Sequence, residues 1–267
     1  MNTSSPQGSP LRPREVLGVV GPWLFVAAAL LPFTWLLPPF DLTAPLARVA
    51  LWLSDSGKLG MPIVCTLAVV LVVSRPALTG RARAQELAAM ALALVLFLGA
   101  GAFVNEYVVK PRLNSPRPNI EELAHLGLLD LSPERFYALQ GERSAYLRRV
   151  LEAVPDRLPM AAAIRNHWIE ETGFSFPSGH STAAMLVATF FACVAVSVVE
   201  GRRRWFLLAL LPWAVLICFA RPVLRVHRPI DVTVGGLQGI ALGLLSYLFV
   251  HFVLARSRRG TGTPAAS

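Results

Sequence analysis

Charge is scarce in this chain. Asp, Glu, Lys and Arg make up 15% of its 267 residues, against 54% that are hydrophobic. A soluble domain carries about a quarter charged residues. So few charges cannot clothe a water-facing surface. The mean hydropathy of +0.54 agrees, and a membrane protein is predicted. Cysteine is as scarce. Cys65, Cys193 and Cys218 all lie within apolar runs and none has Cys-x-x-Cys or Cys/His spacing. That excludes a disulfide framework and a zinc site and leaves small buried hydrophobes. No Asp/Glu/His cluster with ligand spacing occurs, so no metal or other cofactor is expected. Acids number sixteen against twenty-five Lys and Arg, and nine of the sixteen fall between residues 119 and 173. The remaining basic excess sits in short loops. No basic stripe on a polar surface is left over, so the formal charge of +9 does not indicate a nucleic-acid partner. No internal repeat of fixed period is evident.

What is abundant is apolar sequence of spanning length. Runs at 16–37, 59–73, 87–109, 182–199, 205–220 and 232–254 read as six spans, the second extended by its flanks. The first is too long for a signal-peptide core, and no clean small-x-small cleavage site follows it, so it is taken as an uncleaved span. Six spans put both termini on one side. Arg12 and Arg14, Arg75, Arg81 and Arg83, Arg202 to Arg204, and Arg256, Arg258 and Arg259 then share that side, which the positive-inside rule assigns to the cytoplasm. Residues 1–15, rich in Pro and Ser, are expected to be a disordered cytoplasmic N-terminus, and 255–267 a cytoplasmic tail. Residues 16–254 form one domain, whose loops 38–58, 110–179 and 221–231 face outward. A short amphipathic helix is expected near 44–53, and surface helices near 133–151 and 159–171. The predicted fold is all-α, a six-transmembrane-helix bundle with a long extracytoplasmic helical loop between spans three and four.

The outward loops hold more chemistry than topology requires. Phe176-Pro177-Ser178-Gly179-His180 stands where the polar loop meets the fourth span. Ser178 is a preferred N-cap, and Gly179 lets a ligand approach the backbone. Free N–H groups at such a helix start form an anion site, beside which His180 supplies a titratable ring. By itself the stretch also fits a purely structural cap. Lys110, Arg112 and Arg117 open the long loop, and Arg221, Arg225, His227, Arg228 and Asp231 fill the last one. These cations break the positive-inside trend. Pro229 suits the first position of the sixth helix, which places Asp231 in its first turn, within reach of His227. A carboxylate holding one imidazole nitrogen leaves the other as base or nucleophile. Taken alone, that loop also fits a helix cap with an interfacial histidine. Asn105 and Glu106 read as partners of neighbouring polar groups, and His125 and His167 as surface or structural residues.

Three segments, Lys110-x6-Arg117-Pro118, Pro177-Ser178-Gly179-His180 and Arg221-x5-His227-x3-Asp231, together resemble the type 2 phosphatidic acid phosphatase family. These are metal-independent lipid phosphatases related to bacterial acid phosphatases and vanadium haloperoxidases. The six-span layout and the motif positions between spans three and four and between five and six are similar as well. Asn166-His167-Trp168 and Glu171-Thr172-Gly173-Phe174-Ser175-Phe176 resemble the bacterial members that act on phosphatidylglycerophosphate. One departure stands out: the third motif of the family begins Ser-Arg, and here it is Ala220-Arg221, so a hydroxyl that could support the phosphate is missing.

The resemblance implies His227 as a nucleophile forming a phosphohistidine, Asp231 as its orienting carboxylate and His180 as the acid for the departing lipid oxygen. It also implies that Lys110, Arg117, Ser178, Gly179 and Arg221 hold the phosphate. Fixed cations and amides are what phosphoryl transfer needs, because charge spreads over the equatorial oxygens. The implied partners are a lipid phosphate and the bilayer, in a bacterial inner membrane with the site facing outward. Undecaprenyl diphosphate is a rival substrate. A phosphotransferase of the same fold and a non-catalytic lipid-binding protein are rival functions, the last opposed by intact His180, His227 and Asp231. Oligomeric state is left open.

Overall fold

A computed structural model describes residues 12–57, 66–71, 79–153, 155–198 and 208–260. All regular structure among them is helical. Helix α1, Pro13–Leu30, continues as a 3-10 turn over Leu31–Leu36. It begins before the apolar run, because the Arg12 N–H donates to Glu15 and caps it at 2.7 Å. The ordered helix therefore takes in three residues that were expected to be disordered. Helix α2, Pro45–Ser56, reaches past the expected amphipathic stretch. Helix α3, Gly80–Leu94, runs on through two π-helical segments, Val95–Gly99 and Asn105–Val109, to Leu113. The long loop carries α4 (Pro118–His125), α5 (Pro133–Ala138), α6 (Arg143–Ala153) and α7 (Ala162–Glu170). Helices α8 (Gly179–Val198), α9 (Leu210–Val223) and α10 (Pro229–Gly260) follow. The last runs beyond the expected end of the sixth span.

Four of these segments, Pro13–Leu36, Gly80–His125, Gly179–Ser197 and Pro229–Arg256, contain enough apolar length to cross a membrane. They correspond to expected spans one, three, four and six. Of the fifth, α9 supplies fourteen described residues. The second lies outside the described residues apart from 66–71, which are helical, and the basic residues Arg75 and Arg202 to Arg204 lie outside them too.

Helix α8 is the axis. Its apolar window is 83% buried, against 28% or less for the other three, so it is central and they are peripheral. Its closest neighbour is α10, and the reason is a stripe of glycines. A Cβ at Gly235 would lie 2.6 Å from the Ser178 carbonyl, at Gly239 2.4 Å from the Thr182 carbonyl, and at Gly243 2.7 Å from the Leu186 carbonyl. Only hydrogen fits at this spacing of four. Apolar helices gain little hydrophobic energy by meeting in lipid, and small residues let backbones pack instead. The crossing continues to the outer end, where the Ser178 N–H donates to the Asp231 carbonyl at 3.0 Å. Lower down, Asn105 of α3 and Gln238 of α10 exchange two amide hydrogen bonds, each 3.0 Å.

Two apolar clusters result. One fills the bundle around Met185, Phe190, Phe191 and Ile217. The other, around Ile120, Phe136, Leu147, Ile164 and Trp168, packs the long-loop helices onto α2 and the outer end of α9. The Trp168 indole N–H donates to the Leu224 carbonyl at 2.9 Å and pins α7 there. Helix α9 passes from one cluster to the other at Arg221.

The glycine stripe yields a direct test. Gly239→Ala forces the helices apart and should cost roughly 1–3 kcal/mol, seen as a lower melting temperature in detergent. Gly21→Ala, where a Cβ meets nothing within 4 Å, should leave melting unchanged or raise it, because alanine is the better helix former.

Candidate active site

The three loops meet at one end of the bundle, where α8 and α10 begin and α9 ends, and Arg117 is the hub. It is buried and fixed from several sides. Its Nε donates to the Gly173 carbonyl at 2.7 Å and its Nη1 to the Val226 carbonyl at 3.2 Å. Its backbone N–H donates to the Tyr137 hydroxyl at 3.0 Å, and the Tyr137 ring is stacked on Phe174. The side chain is therefore held by both flanking loops before any ligand arrives.

His227 lies directly beside it. Arg117 Nη1 is 3.4 Å from His227 Nε2, and His227 Nδ1 is 3.5 Å from Asp231 Oδ2. A guanidinium can only donate, so Nε2 must present its lone pair and the ring proton sits on Nδ1, facing the carboxylate. Asp231 is itself anchored, since its Oδ2 accepts from the Arg228 N–H at 2.8 Å as the first-turn carboxylate of α10. Burial, together with Arg117 and Arg221, pushes the His227 imidazole well below its usual range. It is neutral at physiological pH, with a lone pair available on the nitrogen that faces the cations.

Ser178 caps α8, its hydroxyl accepting from the Ser181 N–H at 3.4 Å and the Ser181 hydroxyl at 3.0 Å. The side chain is fully buried, and its oxygen accepts both bonds. Gly179 and His180 come next, with the first N–H groups of the helix, which have no intrahelical acceptor. A Cβ at Gly179 would meet nothing within 4 Å, so the space over that amide is open. His180 Nε2 lies 3.8 Å from Glu171. Lys110 stands off from the hub and pairs with Glu106 at 2.6 Å, one helical turn away. It shares with Gly179 a cleft of about 90 Å³ that Asn105, Glu106 and Thr182 line on the polar side and Phe97, Leu98 and Leu186 on the apolar side. On the other side His227 lines a cavity of about 620 Å³ with Trp35, Pro39, Pro118 and Arg228.

Arg225 and Arg228, open to a headgroup role on sequence grounds, are tied down. Arg228 pairs with Glu121 at 2.5 Å and donates to Ser115 and the Pro116 carbonyl at 2.9 Å. Arg225 pairs with Glu122 and donates to the Phe40 carbonyl at 2.6 Å. The two pairs bind α4 to the loop that carries His227. Arg112 donates to the Val108 carbonyl of its own helix, at 3.5 Å.

One residue at the centre was not anticipated in any role. Glu171 places Oε2 2.9 Å from Arg117 Nη2 and Oε1 3.3 Å from Arg221 Nη2. Its carboxylate thus occupies the place between the two guanidiniums. Burial alone would raise its pKa, but Arg221 and Arg117 outweigh that and hold the group well below the ordinary carboxylate range. It is ionised whenever the site is empty. His167, read as surface or structural, is buried with Nε2 3.3 Å from Arg221 Nη1.

The fold and the site together define a multi-pass helical membrane protein with a buried, preorganised anion centre. Residues 87–254 match the PAP2 superfamily, and the chain belongs to that family. It is 33% identical over 159 residues to phosphatidylglycerophosphatase B of Escherichia coli K12, covering 56% of this chain and 58% of that protein. The figures are the same for the Shigella flexneri protein of that name. A lipid A 4'-phosphatase of Bacteroides thetaiotaomicron is 32% identical over 92 residues, 34% of this chain and 38% of that protein. The match thus spans a little over half the length of the first two relatives.

Glu171 should compete with any oxyanion. Glu171→Gln keeps the shape and removes the charge that must be displaced. Vanadate, a tetrahedral phosphate mimic, should therefore bind at least several-fold tighter to the variant, as measured by the concentration that half-stabilises the detergent-solubilised protein against heat.

Proposed function

We propose that this chain is a membrane lipid phosphate phosphatase working through a phosphohistidine on His227. The observation that carries the reading is the setting of His227, with Asp231 3.5 Å from Nδ1 and Arg117 3.4 Å from Nε2. In the first step Nε2 attacks phosphorus as the bond to the lipid oxygen breaks, and His180 gives that oxygen its proton. In the second, His180 takes a proton from water, the oxygen attacks phosphorus, the P–N bond breaks and phosphate leaves. Asp231 keeps the ring oriented and offsets the charge that His227 acquires. Arg117 and Arg221, with Lys110, Ser178 and the Gly179 amide, stabilise the equatorial oxygens. Glu171 must swing out as the phosphate enters.

A lipid substrate is supported by the apolar helices that carry the site and by the relatives named for phosphatidylglycerophosphate and lipid A. Phosphatidylglycerophosphate and phosphatidic acid are the first substrates to test, with undecaprenyl diphosphate as the rival. The chain would sit in a bacterial inner membrane as six spans over 16–254, its tails 1–15 and 255–267 cytoplasmic and the site facing outward. Purified protein in detergent with EDTA should release free phosphate from at least one of these three lipids. Transfer of phosphate to another lipid without release would make it a phosphotransferase, and activity that needs added magnesium would remove the metal-free mechanism.

The two histidines should separate by leaving group. His227→Ala should abolish turnover of every substrate. His180→Ala should lose most on a lipid monophosphate, less on a diphosphate and least on a nitrophenyl phosphate, whose leaving group needs no proton. An equal loss on all three would move His180 from acid to phosphate ligand.

A further inference from the structure

Arg221 is fully buried, yet nothing in its own loop fixes which edge of the guanidinium turns toward the anion seat. The fixing atoms come from elsewhere. Nη1 donates to the Ser54 hydroxyl at 2.5 Å and lies 3.3 Å from His167 Nε2, while Nη2 faces Glu171. Position 220, the neighbour that could have brought a hydroxyl, is an alanine packed into the outer apolar cluster. Ser54 and His167 belong to α2 and α7, outside the three motif loops.

We propose that Ser54, supported by His167, is the positioning residue for Arg221, engaging Nη1 so that the opposite edge is presented to the phosphate. The proposal deepens the phosphatase reading and rests on it for the identity of the anion. Helix α2 is built for the task. Its inward stripe is Ala47, Ala50, Leu51 and Ser54, all buried, and Ser54 is the polar member at the end. Its outward stripe, Leu46, Val49 and Trp52, is apolar and 50–69% exposed. The same helix backs the acid: a Cβ at Gly57 would lie 3.9 Å from His180 Cδ2. A buried guanidinium without an acceptor on Nη1 would turn to find one, because no solvent is there to serve. The His167 lone pair that faces Nη1 requires a neutral ring, with its proton on Nδ1.

The test uses the full chain and three variants, Ser54→Ala, Ser54→Thr and Ser54→Val. Threonine and valine have the same shape and differ in the hydroxyl, so crowding from the added methyl cancels between them. Vanadate affinity is read from thermal stabilisation, and kcat and KM from lipid phosphate hydrolysis. Ala and Val should weaken vanadate about ten-fold, the size of one hydrogen bond to a charged group, and lower kcat/KM with it, while Thr stays within about three-fold of wild type. The proposal is overturned if Ala and Val bind vanadate as wild type does, even at a lower melting temperature, or if Thr loses as much as Val. Should the wild type hydrolyse no lipid phosphate, the phosphatase reading fails, and the vanadate series still decides the role of Ser54.

Discussion

Two helix backbones in contact set the position of nearly everything else. The glycines of α10 let it close onto α8 until a side chain at those positions would collide with a carbonyl of α8. That contact has a chemical result at its outer end. The first turn of α8 carries free amides and the first turn of α10 carries Asp231, so closing the helices places an anion cradle next to the carboxylate that aligns His227. Both features belong to helix starts, and each start is made locally, by Ser178 in one case and by Pro229 with Asp231 in the other. The tertiary contact then brings the two finished pieces into register.

The outer layer does a different job. Cations near the bilayer surface repel each other and need partners, and the long acid-rich loop provides them. Glu121 and Glu122 take Arg228 and Arg225, which leaves Arg117 and Arg221 as the pair directed at the centre. The same loop packs an apolar cluster over α2 and the end of α9, so the site is backed by protein rather than by lipid. Arg117 depends on this layer for three of its contacts, through Gly173, Tyr137 and the Val226 carbonyl. The layer thus fixes the geometry of the cations, and the bundle fixes the geometry of the histidines.

Much of this was legible in the sequence where the signal is local. His227 stands just before the helix start and Asp231 in its first turn, so their pairing follows from a first-turn carboxylate reaching back. The cations Lys110, Arg117 and Arg221 stood out because they break the charge trend of the other loops. Glu171 gave no such signal, being one acid among nine in a polar segment, and its partners lie 54 and 50 residues away. Ser54 was out of reach because it stands beyond the expected end of its helix and meets Arg221 only through tertiary packing. The roles open to Arg225 and Arg228 could be narrowed only once α4 was seen to lie beneath them. The stripe Gly235, Gly239 and Gly243 was there to be read, since small residues at every fourth place in an apolar helix mark a close helix contact. The helix boundaries at Pro13 and Gly260 differ from expectation because apolar content ends before backbone hydrogen bonding does.

The Glu171 carboxylate has one further consequence. With an anion already seated, the empty centre is neutralised, and Arg117 and Arg221 do not stand bare and mutually repelling beside hydrocarbon. Arrival of a ligand is then an exchange of one anion for another. A terminal phosphate can bring two negative charges and gains by displacing a carboxylate that brings one. A phosphodiester headgroup, the kind that fills the surrounding bilayer, brings a single charge and gains nothing. Charge alone would in this way discriminate between anions before any contact with the rest of the ligand.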